Sequence, residues 1–380
     1  MTVYFDHNST TQIAEPVLDA MMPFLKGEFG NASSRHDFGT RSREAVNVAR
    51  EQVASLLDVQ ASQVIFTSGG TESNNMFING LASYGPPRKI FISAIEHPCV
   101  MSPAGSLRKS GWSLEILPVT KDGQVIVEEI KANAFERNCL VSVMLANNET
   151  GVLQAVKELA ANVRRAGGWI HTDAIQAIGK IPVSFSDLGV HAMSVSAHKL
   201  NGPKGVGALV VDKKLPIDAF IKGGGHEFGL RSGTENVASI VGFGVAATLV
   251  SGRLETYQSR IGKLRETLER RLAMIGAVIH GQKSPRLSNT CYFSLPGIQG
   301  ETLVMELNKA GFALASGSAC SSHSSEISPT LKAMGISEEL AYGAVRLSLG
   351  LDNTVEECDA FITSLEKIVL RLNNLVSLTV

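Results

Sequence analysis

The sequence lacks the features that mark secreted, membrane-spanning or nucleic-acid-binding proteins. Its five cysteines are scattered and form no CxxC pair, which excludes the spacing of a zinc site or a disulfide framework. No apolar run approaches the roughly 20 residues that a membrane-spanning helix requires. The opening MTVYFDHNSTT has neither the basic region nor the apolar region of a signal peptide. A net charge of −1 offers no basic surface for nucleic acid. These absences predict a cytoplasmic protein with free thiols, no metal site and no direct contact with membrane or nucleic acid.

What the sequence does contain is an alternation of strand-like and helical patterns. Its 380 residues suit one large domain and a smaller one. In the first two-thirds, helical spacing alternates with apolar runs that predict strands at Val64–Thr67, Lys89–Ser93, 114–119, 141–146, 169–172, Ala192–Ser196 and 208–212. Several runs are apolar on both faces, which is typical of a mainly parallel sheet covered by helices. The sequence therefore predicts an α/β fold.

The last third predicts a separate α+β domain. A long helical pattern over about 239–275 leads to a strand at 289–295, a helix near 301–310, a loop around 316–325 and a strand at 344–349. The closing helix begins with a capping box formed by Thr354 and Glu357. We expect a large domain at 15–250 and a small domain formed by 1–14 together with 251–380.

A lysine follows one of the predicted strands in the segment SVSAHKLNGPKG, residues 194–205. The carboxyl ends of strands are where α/β sheets bind ligands, so Lys199 is placed to form a Schiff base with a carbonyl cofactor. The simpler explanation is an exposed lysine in a turn, because lone lysines are common on protein surfaces.

Two further segments suit a cofactor with a pyridine ring and a phosphate, such as pyridoxal phosphate (PLP). In HTDAIQAIGK, residues 171–180, Asp173 suits the protonated ring nitrogen and Gln176 the ring hydroxyl. In TSGGTESNN, residues 67–75, a Gly-Gly turn opens a helix whose backbone N–H groups suit an anion. Taken singly, Asp173 is at least as well explained as a helix N-cap, and any strand-to-helix turn can carry Gly-Gly.

A cysteine stands among small residues in ASGSACSSHSSE, residues 315–326. Structural cysteines usually have apolar neighbours, whereas glycine, alanine and serine flank Cys320, which predicts an exposed thiol. The simpler explanation is an incidental cysteine in a spacer loop. A joint function is favoured by the order of the segments along the chain, namely the anion cradle, His97, Asn148, Asp173 with Gln176, Ser196 with His198 and Lys199, and then Cys320.

With these segments in place, the chain resembles the NifS/IscS-type (group I) cysteine desulfurases, which are fold-type I PLP enzymes. The resemblance runs nearly end to end, through FDHNSTT, GNASSRHDFG, TSGGTESNN, EHPCV, NNETGVLQ, HTDAIQAIGK, SAHKLNGPKG, RSGTEN, SGSACSS and VRLSLG. The SGSAC segment selects group I, since group II enzymes carry an Arg-x-Gly-His-His-Cys type of segment. The resemblance implies an aminotransferase-like fold. It also implies conversion of L-cysteine to L-alanine, with the sulfur passed through an enzyme persulfide to iron–sulfur cluster assembly or another thiolation pathway.

Residue by residue, the resemblance implies roles for the motif residues. Lys199 holds the cofactor, His97 stacks on its ring and carries protons, and Cys320 receives the sulfur. The implied cofactor-binding residues are Gly70, Thr71, His97, Asn148, Asp173, Gln176, Ser196, His198, Lys199 and Thr234. Thr234 reaches the phosphate site of a partner subunit, which implies a homodimer. The implied substrate-binding residues are Arg346, which grips the α-carboxylate, and Asn8, His36 and Asn148.

Three positions depart from the pattern of the resemblance. Ser9, Ala32 and Phe228 stand where alanine, proline and arginine are more usual. We expect none of them to touch the chemistry directly, although Phe228 alters a contact near the phosphate or the dimer interface. The chain ends at Val380, before the longer tail of IscS-like members. Docking of an iron–sulfur scaffold is therefore not implied, and the sulfur-acceptor protein stays unidentified.

Two other classes of protein stay open. A PLP-dependent aminotransferase has no use for an exposed cysteine, whereas a selenocysteine lyase is harder to separate from a desulfurase. A non-catalytic sulfur-relay protein on the same fold is opposed by the intact Lys199, Asp173 and Arg346.

Overall fold

A computed structural model describes residues 2–86, 88–127, 135–317 and 327–377, with side chains up to residue 374. The strands are β1 Val3–Tyr4, β2 Val64–Thr67, β3 Lys89–Ser93, β4 Ser113–Leu117, β5 Leu140–Ser142, β6 Trp169–Asp173, β7 Ala192–Ser196, β8 Gly207–Val211, β9 Val278–Ile279, β10 Thr290–Ser294, β11 Phe312–Ala313, β12 Ala315–Ser316 and β13 Ala344–Ser348. The helices are α1 Glu15–Lys26, α2 Asp37–Leu57, α3 Gly70–Ala82, α4 Pro98–Ser106, α5 Val156–Arg165, α6 Phe185–Leu188, α7 Val237–Ser251, α8 Leu254–Met274, α9 Gly300–Lys309, α10 Pro329–Ala333, α11 Glu338–Tyr342 and α12 Val355–Ser377. Short 3₁₀ turns lie at Ala61–Gln63, Leu107–Ser110, Ala197–Lys199 and Glu227–Gly229.

The larger sheet has seven strands in the order β2-β8-β7-β6-β5-β3-β4. The strands from β7 to β4 pair in parallel, and β8 runs antiparallel to both β7 and β2. Alternation along each strand sends side chains to opposite faces. In β3, Ile90 and Ile92 enter the hydrophobic cluster on one face and Phe91 the cluster on the other. This two-sided burial explains why the strands read as continuous apolar runs.

A second, antiparallel sheet has the order β12-β13-β10-β9 and its own hydrophobic cluster. The N-terminal segment joins this cluster, since β1 pairs with β11 and Asp6 forms a bridge with Ser348. Phe5 contacts the rings of Phe312 and Phe361. The first residues thus pack with the last third of the chain, as in the proposed division into 15–250 and 1–14 with 251–380, which stays a prediction.

Two predicted elements differ from the structure. The helix expected over about 239–275 is two helices, α7 and α8, bent by 72° where Gly252 and Arg253 separate them. The strand expected at 141–146 is shorter in the structure, where β5 covers Leu140–Ser142. The backbone N–H groups of Val143 and Leu145 nevertheless donate hydrogen bonds to β6. The chain then turns around the side chain of Asn147, whose Oδ1 accepts hydrogen bonds from the backbone N–H groups of Glu149 and Thr150.

The capping box of the last helix is confirmed. The backbone N–H of Thr354 donates to Glu357 at 3.1 Å, and the backbone N–H of Glu357 donates to the Thr354 hydroxyl at 3.2 Å. Across the described ranges, no helix by itself combines the length and apolar composition needed to cross a bilayer, and α7 with α8 does so only as a bent pair.

Candidate active site

A cavity of about 310 Å³ lies at the carboxyl ends of β2, β6 and β7. Its described wall consists of Ser9, Gly70, Thr71, His97, Cys99, Met144, Asn148, Asp173, Ile175, Gln176, Ser196, His198 and Lys199. The structure therefore brings together the sequence-predicted residues Gly70, Thr71, His97, Asn148, Asp173, Gln176, Ser196, His198 and Lys199. They converge because parallel strands deliver their carboxyl ends to one edge of the sheet.

Lys199 lies in the 3₁₀ turn that directly follows β7, and its side chain is half-buried at the cavity. Its ammonium group donates to the main-chain carbonyls of Asn8 and Ser9, the latter at 2.7 Å. The N-terminal segment thus holds the lysine in place from the side of the second sheet.

Asp173 is the last residue of β6 and is buried beside the cavity. Its two oxygens accept hydrogen bonds from the backbone N–H of Ile175 at 3.0 Å and the side-chain amide of Asn74 at 2.7 Å. Burial raises the pKa of the Asp173 carboxyl, while these hydrogen bonds and the nearby His97 and Lys199 oppose that rise. A buried carboxylate of this kind is stabilised further by a cation placed against it.

The turn between β2 and α3 forms a cradle of backbone N–H groups. Gly69 has a φ of +149°, which L-amino acids rarely adopt, and a Cβ atom at Gly70 would collide with the side chain of Ile175. The path of the chain therefore favours glycine at 69, and a side chain at 70 would require Ile175 to shift. The 13-residue helix α3 begins at this turn, and Thr71 of its first turn lines the cavity together with Ser196. The helix dipole favours an anion at this position.

His198 adds a neutral ring to the same wall. Burial, with the charges of Lys199 and Lys204, lowers the pKa of His198 to about 4. One ring nitrogen, Nδ1, lies 3.2 Å from the hydroxyl of Thr10. At pH 7 the ring is therefore neutral, and it can offer this wall a hydrogen bond but no charge.

His97 caps the start of α4. Its Nδ1 accepts the backbone N–H of Cys99 at 3.2 Å, so the neutral ring carries its proton on Nε2. Burial lowers the pKa of His97, the charge of Asp173 opposes that change and the charge of Lys199 adds to it. A second proton would have to enter at Nδ1 and displace the cap. The geometry therefore suits stacking and donation from Nε2 more than the proton-carrier role predicted for His97.

Cys99 and Asn74 belong to the site but were not predicted as binding residues. The Cys99 thiol lies 2.9 Å from Nδ1 of His97 and accepts from the Asn74 amide at 3.0 Å. Burial, followed by the negative charge of Asp173, raises the pKa of Cys99 to about 12. Both residues stand inside motifs already quoted, EHPCV and TSGGTESNN, which were interpreted only for their neighbours.

Arg346 projects from β13 and is buried, with 5% of its surface exposed. Its Nη2 donates to the Asp6 carboxylate at 2.8 Å and to the Ser9 hydroxyl at 2.7 Å, and its Nη1 donates to the carbonyl of Asn148 at 3.1 Å. Arg346 is not among the described cavity-lining residues. Arg346 contacts Ser9 and Asn148, and these two residues do line the cavity.

Asn8, predicted to line the substrate pocket, is not among the residues of the described cavity wall, and its side chain is held by other parts of the protein. Its amide group donates to the carbonyl of Asn148 and the hydroxyl of Thr290, and its Oδ1 accepts from Lys180 at 2.8 Å. The carbonyl of Asn8 accepts from Lys199 and from the Gln176 amide. Internal hydrogen bonds therefore draw this side chain away from the cavity.

Lys180 is a buried lysine beside the site that the sequence analysis missed. Its ammonium group donates to Oδ1 of Asn8 and Oε1 of Gln176, each at 2.8 Å. Burial, with the charges of Lys199 and Arg346, places the pKa of Lys180 well below its ordinary value. Because Lys180 occupies the oxygen of the Gln176 amide, the NH₂ group of that amide is the one directed to Asn8.

Besides Asn8 and Arg346, the predicted residues His36 and Thr234 are also absent from the described cavity wall. His36 is exposed at the N-cap of α2, where its Nδ1 accepts the backbone N–H of Gly39 at 3.3 Å, and its role in the substrate pocket stays a prediction. Thr234 is exposed just before α7. Cys320 lies outside the described residues, as does most of the loop predicted at 316–325.

The three departures from the family pattern have different settings. Ser9 contacts Arg346 and lines the cavity, so this departure lies at the candidate site. Ala32 is buried. Phe228 has a φ of +57° and is largely exposed, with the guanidinium of Arg50 5.1 Å from its ring centre. In the described part of the chain, no group of three or more His, Cys, Asp or Glu side chains is arranged to hold a metal ion.

The fold and the cavity agree with the comparison to known proteins. The chain belongs to the aminotransferase class-V family, which it matches over residues 3–361.

Within that family its relatives are cysteine desulfurases of the IscS and NifS type, which confirms the resemblance. Cysteine desulfurase IscS of Dictyoglomus turgidum is 40% identical over 379 residues, covering 98% of this chain and 96% of the relative. A solved NifS-like protein has a TM-score of 0.91 at 38% identity, covering 97% of this chain and 99% of that one. The structure of SspA in complex with cysteine has a TM-score of 0.82 at 30% identity, covering 92% and 99% of the two chains.

Cysteine desulfurases of this family depend on PLP, and so does this chain. The residues present fit that cofactor. A lysine, a buried carboxylate and a glycine-lined helix N-terminus face one cavity, and they match the aldehyde, the ring nitrogen and the phosphate of PLP. The predicted α/β fold class is confirmed as well.

Proposed function

We propose that this chain is a cysteine desulfurase that converts L-cysteine to L-alanine and transfers the sulfur to Cys320 as a persulfide. The observation that carries the proposal is the meeting of two residue sets at one cavity. Lys199 and Asp173 suit the cofactor, and the cluster around Arg346 suits the carboxylate of an amino acid.

Bound PLP supplies an electron sink for bonds around the substrate Cα. Asp173 pairs with the ring nitrogen, and the first turn of α3 holds the phosphate together with Ser196 and His198. Lys199 binds the cofactor covalently, and its free amine moves the proton of the substrate Cα. Arg346 orients the substrate through its α-carboxylate.

The sulfur step is a displacement at the substrate sulfur. The thiolate of Cys320 attacks that atom, and an S–S bond forms as the Cβ–S bond breaks. The electron pair of the broken bond remains with Cβ, which takes up a proton and becomes the methyl group of alanine. The products are one alanine and one Cys320 persulfide, so no external oxidant or reductant is required.

Cys320 itself is outside the described residues, but the chain that leads to it is well placed. Ala315 in β12 pairs directly with Arg346 in β13. Cys320 is five positions after Ala315, and five residues span at most about 18 Å when extended. The substrate region is therefore within reach of the thiol.

The cysteines of the described part are poor competitors for this role. All four are buried, and burial raises the pKa of Cys99 to about 12, of Cys139 to about 11 and of Cys358 to about 12. Burial also raises the pKa of Cys291 well above its ordinary value. Since the thiolate is the nucleophile, none of the four is prepared to attack.

The test is mass spectrometry of the cysteine-treated holoenzyme, with each cysteine peptide searched for one added sulfur. We expect the sulfur on Cys320, and we expect Cys320→Ser to retain PLP absorbance while releasing no alanine. Cys99→Ser is the matched control and should still form the Cys320 persulfide. Added sulfur on Cys99 with Cys320 unmodified would contradict the assignment, and so would normal alanine release by Cys320→Ser.

Three parts of the proposal rest on the resemblance. The first is a homodimer, supported by the exposed position of Thr234 away from the cavity wall of its own chain. The second is transfer of the persulfide sulfur to an acceptor protein whose identity stays open. The third is a cytoplasmic location, where thiols remain reduced.

A further inference from the structure

Ser9 is the exposed member of the cluster around Arg346. The Arg346 side chain has only 7% of its surface exposed, and it is not among the described residues that line the cavity. Ser9 is exposed and lines the cavity, and its hydroxyl oxygen accepts from Nη2 of Arg346 at 2.7 Å. A small molecule in the cavity therefore meets Ser9 before it meets the guanidinium.

The hydrogen bonds of Arg346 leave its Nη2 without a free proton. One Nη2 proton goes to Asp6 and the other to Ser9, and one Nη1 proton goes to the carbonyl of Asn148. A substrate carboxylate can take the Nη2 atom only if Asp6 or Ser9 gives it up. Asp6 also places a negative charge on the same guanidinium, which weakens its pull on a second carboxylate.

The Ser9 hydroxyl has a donor to offer in this arrangement. A hydroxyl carries one proton and two lone pairs, and Arg346 occupies one lone pair. A hydrogen bond from a cation polarises the hydroxyl and strengthens the bond that its own proton makes. The main-chain carbonyl of Ser9 accepts from Lys199 at 2.7 Å, so the hydroxyl is carried by the residue that also contacts the cofactor lysine.

We propose that Ser9 is a substrate-binding residue whose hydroxyl donates to the α-carboxylate of cysteine while accepting from Arg346. The proposal rests on the proposed function, because it takes the carboxylate to bind at the Arg346 cluster. Alanine is more usual at this position in the family pattern, so the contact distinguishes this chain from members with alanine.

The experiment measures binding to the holoenzyme in a Cys320→Ser background, which prevents turnover. Dissociation constants for L-cysteine and for cysteamine, which lacks the carboxylate, are obtained from the change in PLP absorbance. For Ser9→Ala we expect L-cysteine to bind about 2- to 10-fold more weakly, as for loss of one hydrogen bond, and cysteamine to bind unchanged. Ser9→Thr keeps a hydroxyl and should bind L-cysteine within about twofold of the parent protein.

Three results would overturn the proposal. Equal losses for L-cysteine and cysteamine would mean a structural role for Ser9. Tighter binding of L-cysteine to Ser9→Ala would mean that the hydroxyl competes with the substrate for Arg346. Unchanged binding of L-cysteine would remove Ser9 from the site and leave the desulfurase proposal intact. Failure of the function itself has a separate readout, since the parent enzyme would then form no Cys320 persulfide.

Discussion

The residues around Lys199 and those around Arg346 reach the cavity in different ways. We call the first set, Gly70, Asp173 and Lys199, the cofactor half, and each of its members ends or closely follows a strand of the seven-stranded sheet. The second set, Asp6, Ser9 and Arg346, is the substrate half, and its hydrogen bonds join residues up to 340 positions apart. Sheet topology positions the cofactor half. Packing of the N-terminal segment against β13 positions the substrate half.

A few hydrogen bonds connect the two halves. Lys199 donates to the carbonyls of Asn8 and Ser9, and Lys180 joins the side chains of Asn8 and Gln176. Changes in one half should therefore be separable from the other as long as these bonds remain. The three predictions below use that separation.

The largest effect is expected in the cofactor half, from Lys199→Ala. The variant loses both the covalent link to PLP and the amine that moves the Cα proton, so kcat should fall by about 10²- to 10⁴-fold. Borohydride treatment followed by peptide mapping should fix PLP to the parent protein but not to this variant.

Lys204→Ala is the matched control, because Lys204 is an exposed lysine five positions further along the same turn. It should keep the borohydride-fixed peptide and a normal rate. A fixed PLP peptide in Lys199→Ala would show that another lysine holds the cofactor.

A smaller effect is expected in the substrate half, from Arg346→Ala. Loss of a hydrogen bond to a charged group costs about 1.5–3 kcal/mol, which is roughly 10- to 150-fold in affinity. The KM for cysteine should rise by that factor, while PLP absorbance stays unchanged because Arg346 is not among the described residues of the cavity wall.

Arg271→Ala is the control. It removes an arginine of α8 that pairs with Asp359 of α12, and it should leave the KM unchanged. Loss of PLP from Arg346→Ala would show that the two halves are not separable. Unchanged cysteine kinetics would place carboxylate binding elsewhere.

The cofactor half could be predicted from the sequence because its signals are local. Asp173, Ser196 and Lys199 each sit at a strand end that an apolar run reveals, and parallel strands deliver such ends to one edge. The turn at Gly70 carries its own glycine signal. The resemblance then assigned roles that no single segment established.

The substrate half resisted prediction because its contacts are long-range. Nothing near Asn8 in the sequence shows that Lys180 and Thr290 hold its side chain away from the cavity. Ser9 was recognised only as an unusual residue. Its hydrogen bond to Arg346 depends on the packing of the N-terminal segment against β13. The sequence also did not reveal that His36 caps a helix.

The last comparison concerns how an acid at each half is neutralised. In the substrate half, Asp6 is paired with Arg346 at 2.8 Å. Near Asp173 of the cofactor half, Glu96 has no cation partner among its described contacts, and its Oε1 accepts from the Ser93 hydroxyl at 2.5 Å and the backbone N–H of Met144 at 2.8 Å. Burial raises the pKa of Glu96 from 4.5 to about 8, against the effect of these hydrogen bonds and with a further rise from Asp173. A proton, rather than an ion pair, therefore neutralises this acid at pH 7.

The consequence is a pH-dependent stability that Glu96→Gln should remove. Between about pH 4.5 and 8 the folded protein retains a proton that the unfolded chain has released, so unfolding releases it and rising pH favours unfolding. The free energy of unfolding contributed by Glu96 is complete below about pH 4.5 and falls by up to about 1.4 kcal/mol per pH unit until about pH 8. Glutamine keeps the accepting oxygen but does not titrate, so urea unfolding at pH 5, 6, 7 and 8 should show a flatter dependence for Glu96→Gln. The exposed Glu51→Gln on α2 should follow the parent protein, and equal slopes for the parent and Glu96→Gln would mean that Glu96 is ionised in the folded state.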